Sequence, residues 1–238
     1  MTSEGQEWKK LSIERKIGTQ IESWGQNITS DKLERKPFIT ISREYGAEGW
    51  VLGQRLEELI NESGSYKPPW VAYNKEILEK LEKNQNLTKD LVESLEKPAQ
   101  NAISEFFDNH FSDKPARITI FKKTARTIKT LASHGNVILV GRGGCFITQD
   151  MKKGFHIRCV APFDWRVHQI EKQYGISLSE AEERVKSNES ERGAFIKDYF
   201  FTDQSNPHYY DMVINSSRMA LDDSAELIIY AMKKRGLL

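Results

Sequence analysis

Cysteine is scarce in this 238-residue chain, which holds only Cys145 and Cys159. A chain of this size needs no disulfide staple, so both thiols are expected to be reduced and mostly structural. Long apolar runs are missing too: stretches such as Val137 to Val140 fall far below the ~18 to 20 residues that a membrane-spanning helix needs. The opening residues MTSEGQEWKKLSIERK lack the apolar segment of a secretory signal, and the protein is therefore expected to stay in the cytoplasm. Neither sign of charge is in excess, because 35 Lys and Arg face 34 Asp and Glu, for a formal net charge of +1. No global field draws such a chain to nucleic acid or to an anionic membrane, so any anion site must be local. Internal repeats and metal-ligand spacings are also lacking, and no resident metal is expected.

What is present is an α/β rhythm in a chain short enough for one core, since single cores stop growing near ~250 to 300 residues. Residues 1–36 are polar, contain Trp8 and Trp24, and are interrupted by turn-like stretches at Ser23 to Gln26 and Thr29 to Asp31. They read either as a partly disordered leader or as a helical arm whose tryptophans dock on the core or on a second copy, which would make a homo-oligomer. From residue 37 to 238 one domain is expected. Phe38 to Ser42 form a short apolar, β-branched run without helical period, which predicts a buried strand. A glycine-spaced loop follows from Arg43 to Gly49, and then Leu52, Leu56, Leu59 and Ile60 recur at helical spacing.

Trp70 to Tyr73 predict a second strand, with Asn74 placed to cap a helix over Lys75 to Leu81. Residues 84–116 read as a polar helical insertion containing Phe106 and Phe107. Ile118, Phe121, Ala125, Ile128 and Ala132 make one apolar helix stripe that ends at Gly135. Strands are then predicted at Val137 to Val140, Phe155 to Val160 and Asp211 to Asn215. Helices fall around Trp165 to Ile170, over Ser177 to Tyr199 and along Leu221 to Met232. Two capping boxes compete at the start of the second, Ser177 with Glu180 and Ser179 with Glu182.

Three places can carry chemistry. The stretch ITISREYGAEGWVLGQRL, Ile39 to Leu56, sets a glycine loop between a strand and a helix N-terminus, where free amides and the helix dipole favour an anion. Yet no lysine lies between Lys36 and Lys67, and Val51 stands where a phosphate loop would offer a hydroxyl, so an ordinary tight turn fits as well. In VILVGRGGCF a buried strand delivers Arg142 between glycines, at the sheet edge where ligands bind. A guanidinium there is suited to fork onto phosphate. The charged segment with Arg184, Lys186, Arg192 and Lys197, interleaved with Glu182, Glu183, Glu189 and Glu191, is either a solvated helix or a mobile lid over about residues 178–205.

Six ordered blocks, ITISREYG, YNKEIL, VILVGRGG, FHIRCVAPFDWRV, the Ser-Glu-Arg stretch with Ala194 to Tyr199, and YDMVINSSRM, resemble the cytidylate kinase-like family. These are relatives of nucleoside monophosphate kinases in the P-loop class. The resemblance implies a five-stranded parallel sheet with helices on both faces, ATP with Mg²⁺ on the first glycine loop, and a nucleoside monophosphate such as CMP between Arg142 and the insertion. It assigns the donor phosphates to the loop at Gly46, Ala47, Gly49 and Trp50, with Arg43 as an auxiliary cation. Arg142 would hold the acceptor phosphate, Arg184 and Arg192 would be lid cations, and Arg166 would serve at the lid base. The pattern is broken at Trp50, where the family commonly has arginine, and at Asn74, where it commonly has aspartate. Mg²⁺ would be held through water or by the nucleotide itself. A nucleotide-binding module without catalysis, or a kinase of another small acceptor, remain the alternatives.

Overall fold

The computed structural model describes Trp8 and residues 10–26, 36–95, 97–111, 118–141 and 143–238. Arg142 and the stretch Thr29 to Asp31 lie outside the described residues. Strands β1 (Phe38–Arg43), β2 (Val71–Tyr73), β3 (Val137–Val140), β4 (Gly154–Val160) and β5 (Met212–Asn215) form one sheet in the order β2-β3-β1-β4-β5. Every neighbouring pair is parallel, with Ile39 opposite Ile138 and Phe155, and Ser42 opposite Arg158. The runs can be continuously apolar because both faces are covered.

Alternation along the strands divides the core. Phe38, Val71, Tyr73, Val137 and Leu139 face one layer, where helix α6 (Ile118–His134) lays down Phe121, Ala125, Ile128 and Leu131. Ile39, Ile41, Ile138, Val140 and Ile157 face the other. There α2 (Gly49–Asn61) brings Leu52, Leu56 and Ile60, and α10 (Leu221–Lys234) brings Ala225, Ile228 and Met232. Burying an aliphatic side chain of this size is worth roughly 1.5 to 3 kcal/mol, so the two layers fix the strand register and with it the sheet edge that forms the site.

The N-terminal helix α1 (Ile13–Gln26) docks on the same chain. Ile17, Ile21, Trp8 and Trp24 are buried, and Trp24 stacks on His134 with ring centroids 4.3 Å apart. Gln20 is fully enclosed: its amide donates to the carbonyls of Pro69 (2.8 Å) and Asn136 (3.0 Å) and accepts from the Tyr73 hydroxyl (2.7 Å). Ser23 to Gln26 are helical rather than a turn, because burial of Trp24 holds the last turn against the core. Helices α3 (Lys75–Lys83), α4 (Gln85–Glu93) and α5 (Lys97–Phe111) follow β2 and lie beside α6. The Asn74 side chain caps α3 as expected, accepting from the Ile77 amide at 2.9 Å.

A short helix α7 (Gly144–Ile147) leaves β3. Helices α8 (Phe163–Tyr174) and α9 (Leu178–Phe200) form an antiparallel pair around Val167, Ile170, Ala181 and Val185. Ser177 and Glu180 make the capping box of α9, which leaves Ser179 inside the first turn. Among the described residues no helix is long and apolar enough to cross a membrane.

Candidate functional site

In a parallel sheet of this order the chain leaves β1 and β3 in opposite directions, which opens a crevice at their carboxyl ends. The glycine loop, residues 44–48, lies there. Gly46 has φ 88°, and a Cβ on it would come within 2.7 Å of the Arg166 carbonyl oxygen, so only glycine fits. The Ala47 amide is committed within the loop to the Glu44 carbonyl (3.2 Å), and its own carbonyl accepts from Ser216 Oγ (3.1 Å). The amides of Gly49, Trp50 and Val51 open α2, where the helix itself supplies no acceptor, and Glu48 at the N-cap makes no side-chain cap. These first-turn donors can receive an anion.

Four cations come from three elements. Arg43, the last residue of β1, reaches across to the end of β3: a Cβ on Gly141, which has φ 84°, would meet the Arg43 guanidinium at 1.7 Å. Bare backbone at Gly141 is what admits that side chain. Arg166 of α8 is buried, donating from Nε to the Ala161 carbonyl (2.9 Å) and from Nη1 to the Tyr45 carbonyl (3.1 Å). It pairs with Glu44 at 3.4 Å and with Glu189 at 3.7 Å. Arg184 of α9 donates to the Tyr45 hydroxyl at 3.0 Å and covers the Tyr174 ring at 3.8 Å. Arg192, two turns further on, donates to the Arg43 carbonyl (3.4 Å) and lies 5.0 Å from the Tyr45 ring centre. Burial works against its charge and lowers its pKa, with Glu189 acting in the opposite sense.

Arg43, Gly46, Ala47, Gly49, Arg166, Arg184 and Arg192 thus gather around one loop, although they come from separated stretches of sequence. Trp50 has its amide on that loop while its side chain lines a separate cavity of about 470 Å³ against Trp8. That cavity is the larger, but its buried carboxylate, Glu57, is already satisfied by Lys16 and by the Ala72 amide. The crevice itself holds a cavity of about 220 Å³ lined by Ser42, Gly141 and Gly143, with Arg43, Lys75 and Arg192 as cations and Phe146 and Phe195 as an aromatic wall. Its chemistry suits a small anion with a flat or apolar portion.

Sequence reasoning assigned no role to Tyr45, Glu44, Glu189, Lys75 or Arg158. Tyr45 and Lys75 sit inside quoted blocks, but nothing in a linear pattern shows that Tyr45 gathers the arginines of α8 and α9. Arg158, buried on β4 beside Ser42, pairs with Glu44 at 3.9 Å, and its Nη1 has no hydrogen-bond partner. Cys145 and Cys159 are buried and pushed up to about 12 by burial, which makes them poor nucleophiles.

The family model for the cytidylate kinase-like family matches residues 38–218, which include both glycine segments, α8 and α9. The chain belongs to the cytidylate kinase-like family. A cytidylate kinase of Methanopyrus kandleri is 28% identical to this cytidylate kinase-like chain over 111 residues, 43% of the chain and 58% of that protein. The match thus spans little more than half of that relative's length. A crystal structure of an uncharacterised protein from Eubacterium ventriosum superposes with a TM-score of 0.65 at 21% identity, covering 84% of this chain and 99% of the other. It shows the same fold.

Proposed function

We propose that this cytidylate kinase-like chain is a phosphotransferase that moves a phosphoryl group from ATP to a nucleoside monophosphate of the CMP type. The observation that supports it best is the convergence of Arg43, Arg166, Arg184 and Arg192 on a glycine loop whose helix-opening amides have no helical acceptor. Phosphoryl transfer asks a protein mainly to align two oxygens and to neutralise charge, and the gathered arginines and first-turn amides are the groups that would supply the second. Donor phosphates would lie on the amides of Gly49 and Trp50, and the acceptor in the cavity beside Lys75, with Arg142 as its phosphate ligand. The described residues contain no group of three His, Cys, Asp or Glu that could hold a metal, so Mg²⁺ would travel with the nucleotide phosphates and water.

Trp50 and Val51 favour a second role, a nucleotide-binding module without turnover, because neither offers the cation or the hydroxyl that a phosphate loop uses. ADP release with ATP·Mg²⁺ and CMP, UMP or AMP, run beside calorimetric ATP titration, separates the two. Turnover on one acceptor that is lost in Gly46→Ala supports the kinase. ATP binding without turnover on any acceptor selects the binding module, and absence of ATP binding overturns both.

A further inference from the structure

We infer that Glu189 holds the place of a phosphate on the ligand-free glycine loop, so that only a ligand group carrying at least two negative charges displaces it. The inference rests on the phosphotransferase assignment above and adds a determinant of what the loop accepts. Glu189 Oε1 accepts the backbone N–H of Tyr45 and stands 3.7 Å from Arg166 Nη1. A backbone amide and a guanidinium are donors that a phosphate oxygen accepts from as readily as a carboxylate oxygen does. The carboxylate comes from the middle of α9, between Arg184 and Arg192, which hold the hydroxyl and the ring of the same tyrosine.

Exchange is physically open to this side chain. Glu189 is 26% exposed and can swing into water, whereas Glu44, the other carboxylate on Arg166, is also tied to the Ala161 amide at 3.0 Å. Replacing one carboxylate by one monoanion leaves the charge balance as it was and forfeits a tethered partner, so chloride or acetate gains nothing. A dianionic or polyphosphate group adds at least one charge interaction with Arg166, Arg192 and Arg43. Displacement would also free α9 from the loop on one of its contacts and let Arg184 and Arg192 follow the incoming group.

The test compares the full chain with Glu189→Ala and Glu189→Gln, titrating pyrophosphate, ATP·Mg²⁺ and acetate by calorimetry and following amide exchange at Tyr45. Glu189→Ala should bind pyrophosphate about tenfold more tightly, the scale of one charge-assisted contact removed from competition. Glu189→Gln, which keeps an acceptor oxygen and the helix surface, should show a smaller gain and guards against misfolding of the alanine variant. The Tyr45 amide should exchange faster in ligand-free Glu189→Ala and slow again with pyrophosphate. Unchanged or weaker pyrophosphate binding in both variants, while wild type binds ATP, overturns the inference and leaves the phosphotransferase assignment intact. An equal gain for acetate overturns the charge threshold. Failure of wild type and both variants to bind either phosphate probe overturns the assignment as well.

Discussion

On Tyr45 meet groups from α8 and α9 that lie more than a hundred residues away in sequence: the peptide carbonyl receives Arg166, the hydroxyl receives Arg184, and the ring lies against Arg192. A single aromatic residue inside the glycine loop therefore sets where Arg184 and Arg192 stand. Arg43 is placed by a different device, the bare backbone of Gly141, and this brings one cation from β1 to the end of β3. Arg142 follows Gly141 directly, and Gly141 and Gly143 both line the crevice cavity. Arg142→Lys should weaken CMP binding, because a point ammonium cannot make the two parallel bonds of a guanidinium. Arg142→Ala should weaken it by about tenfold to a few hundredfold, corresponding to roughly 1.5 to 3 kcal/mol, with the melting temperature nearly unchanged. Calorimetry and melting curves on the same samples check this. A lowered melting temperature with intact CMP affinity would instead make Arg142 an internal ion-pair partner.

Helix α9 joins two anchored ends through a charged middle. Its first turns pack Ala181 and Val185 on α8, and its end places Phe195, Tyr199 and Phe200 on Phe121 of α6. Between them the contacts to the loop are polar: Arg184, Glu189 and Arg192. Polar contacts of partly exposed groups are worth far less than buried apolar area, so this element can move against the loop while its ends hold. Its amides between residues 184 and 192 should exchange faster than those of β1 and β3, show microsecond-to-millisecond relaxation, and become protected when ATP·Mg²⁺ binds. Protection equal to the central strands, with and without nucleotide, would mean a fixed helix rather than a lid.

For the molecule as a whole, two buried histidines link stability to pH. His134 bonds through Nε2 with Ser94 Oγ (3.0 Å) and the Leu91 carbonyl (3.1 Å) beneath Trp24, and burial lowers its pKa to about 4. His156 bonds through Nδ1 with Thr40 Oγ1 (2.8 Å), and burial lowers its pKa too. In the unfolded chain these rings take up protons below about pH 6.5. The folded chain resists, so stability is full above that pH and is lost as pH falls toward 4. His134 alone accounts for roughly 3 kcal/mol over that window. Denaturant melts at about pH 7 and pH 5 should show the loss, and His134→Gln should shrink it; an unchanged slope in that variant would remove His134 from the linkage.

By itself the sequence determined the parallel sheet, the placement of its strands and the helix stripes, because burial on both faces requires apolar runs and helix burial requires a period, and both are visible in one dimension. It also determined the two glycine segments, since positive φ and close approach, as at Gly46 and Gly141, admit little else. Only the tertiary structure decided that Trp8 and Trp24 dock on their own core, that Trp50 turns its ring toward a separate cavity, and that Arg43 and Arg166 flank one loop. Glu189 is the clearest case. In sequence it is one acid among many on a charged helix, and only the packing of α9 on α8 brings its carboxylate to the amide of Tyr45, because an ion-pair partner is chosen by distance in space and leaves no period in the chain.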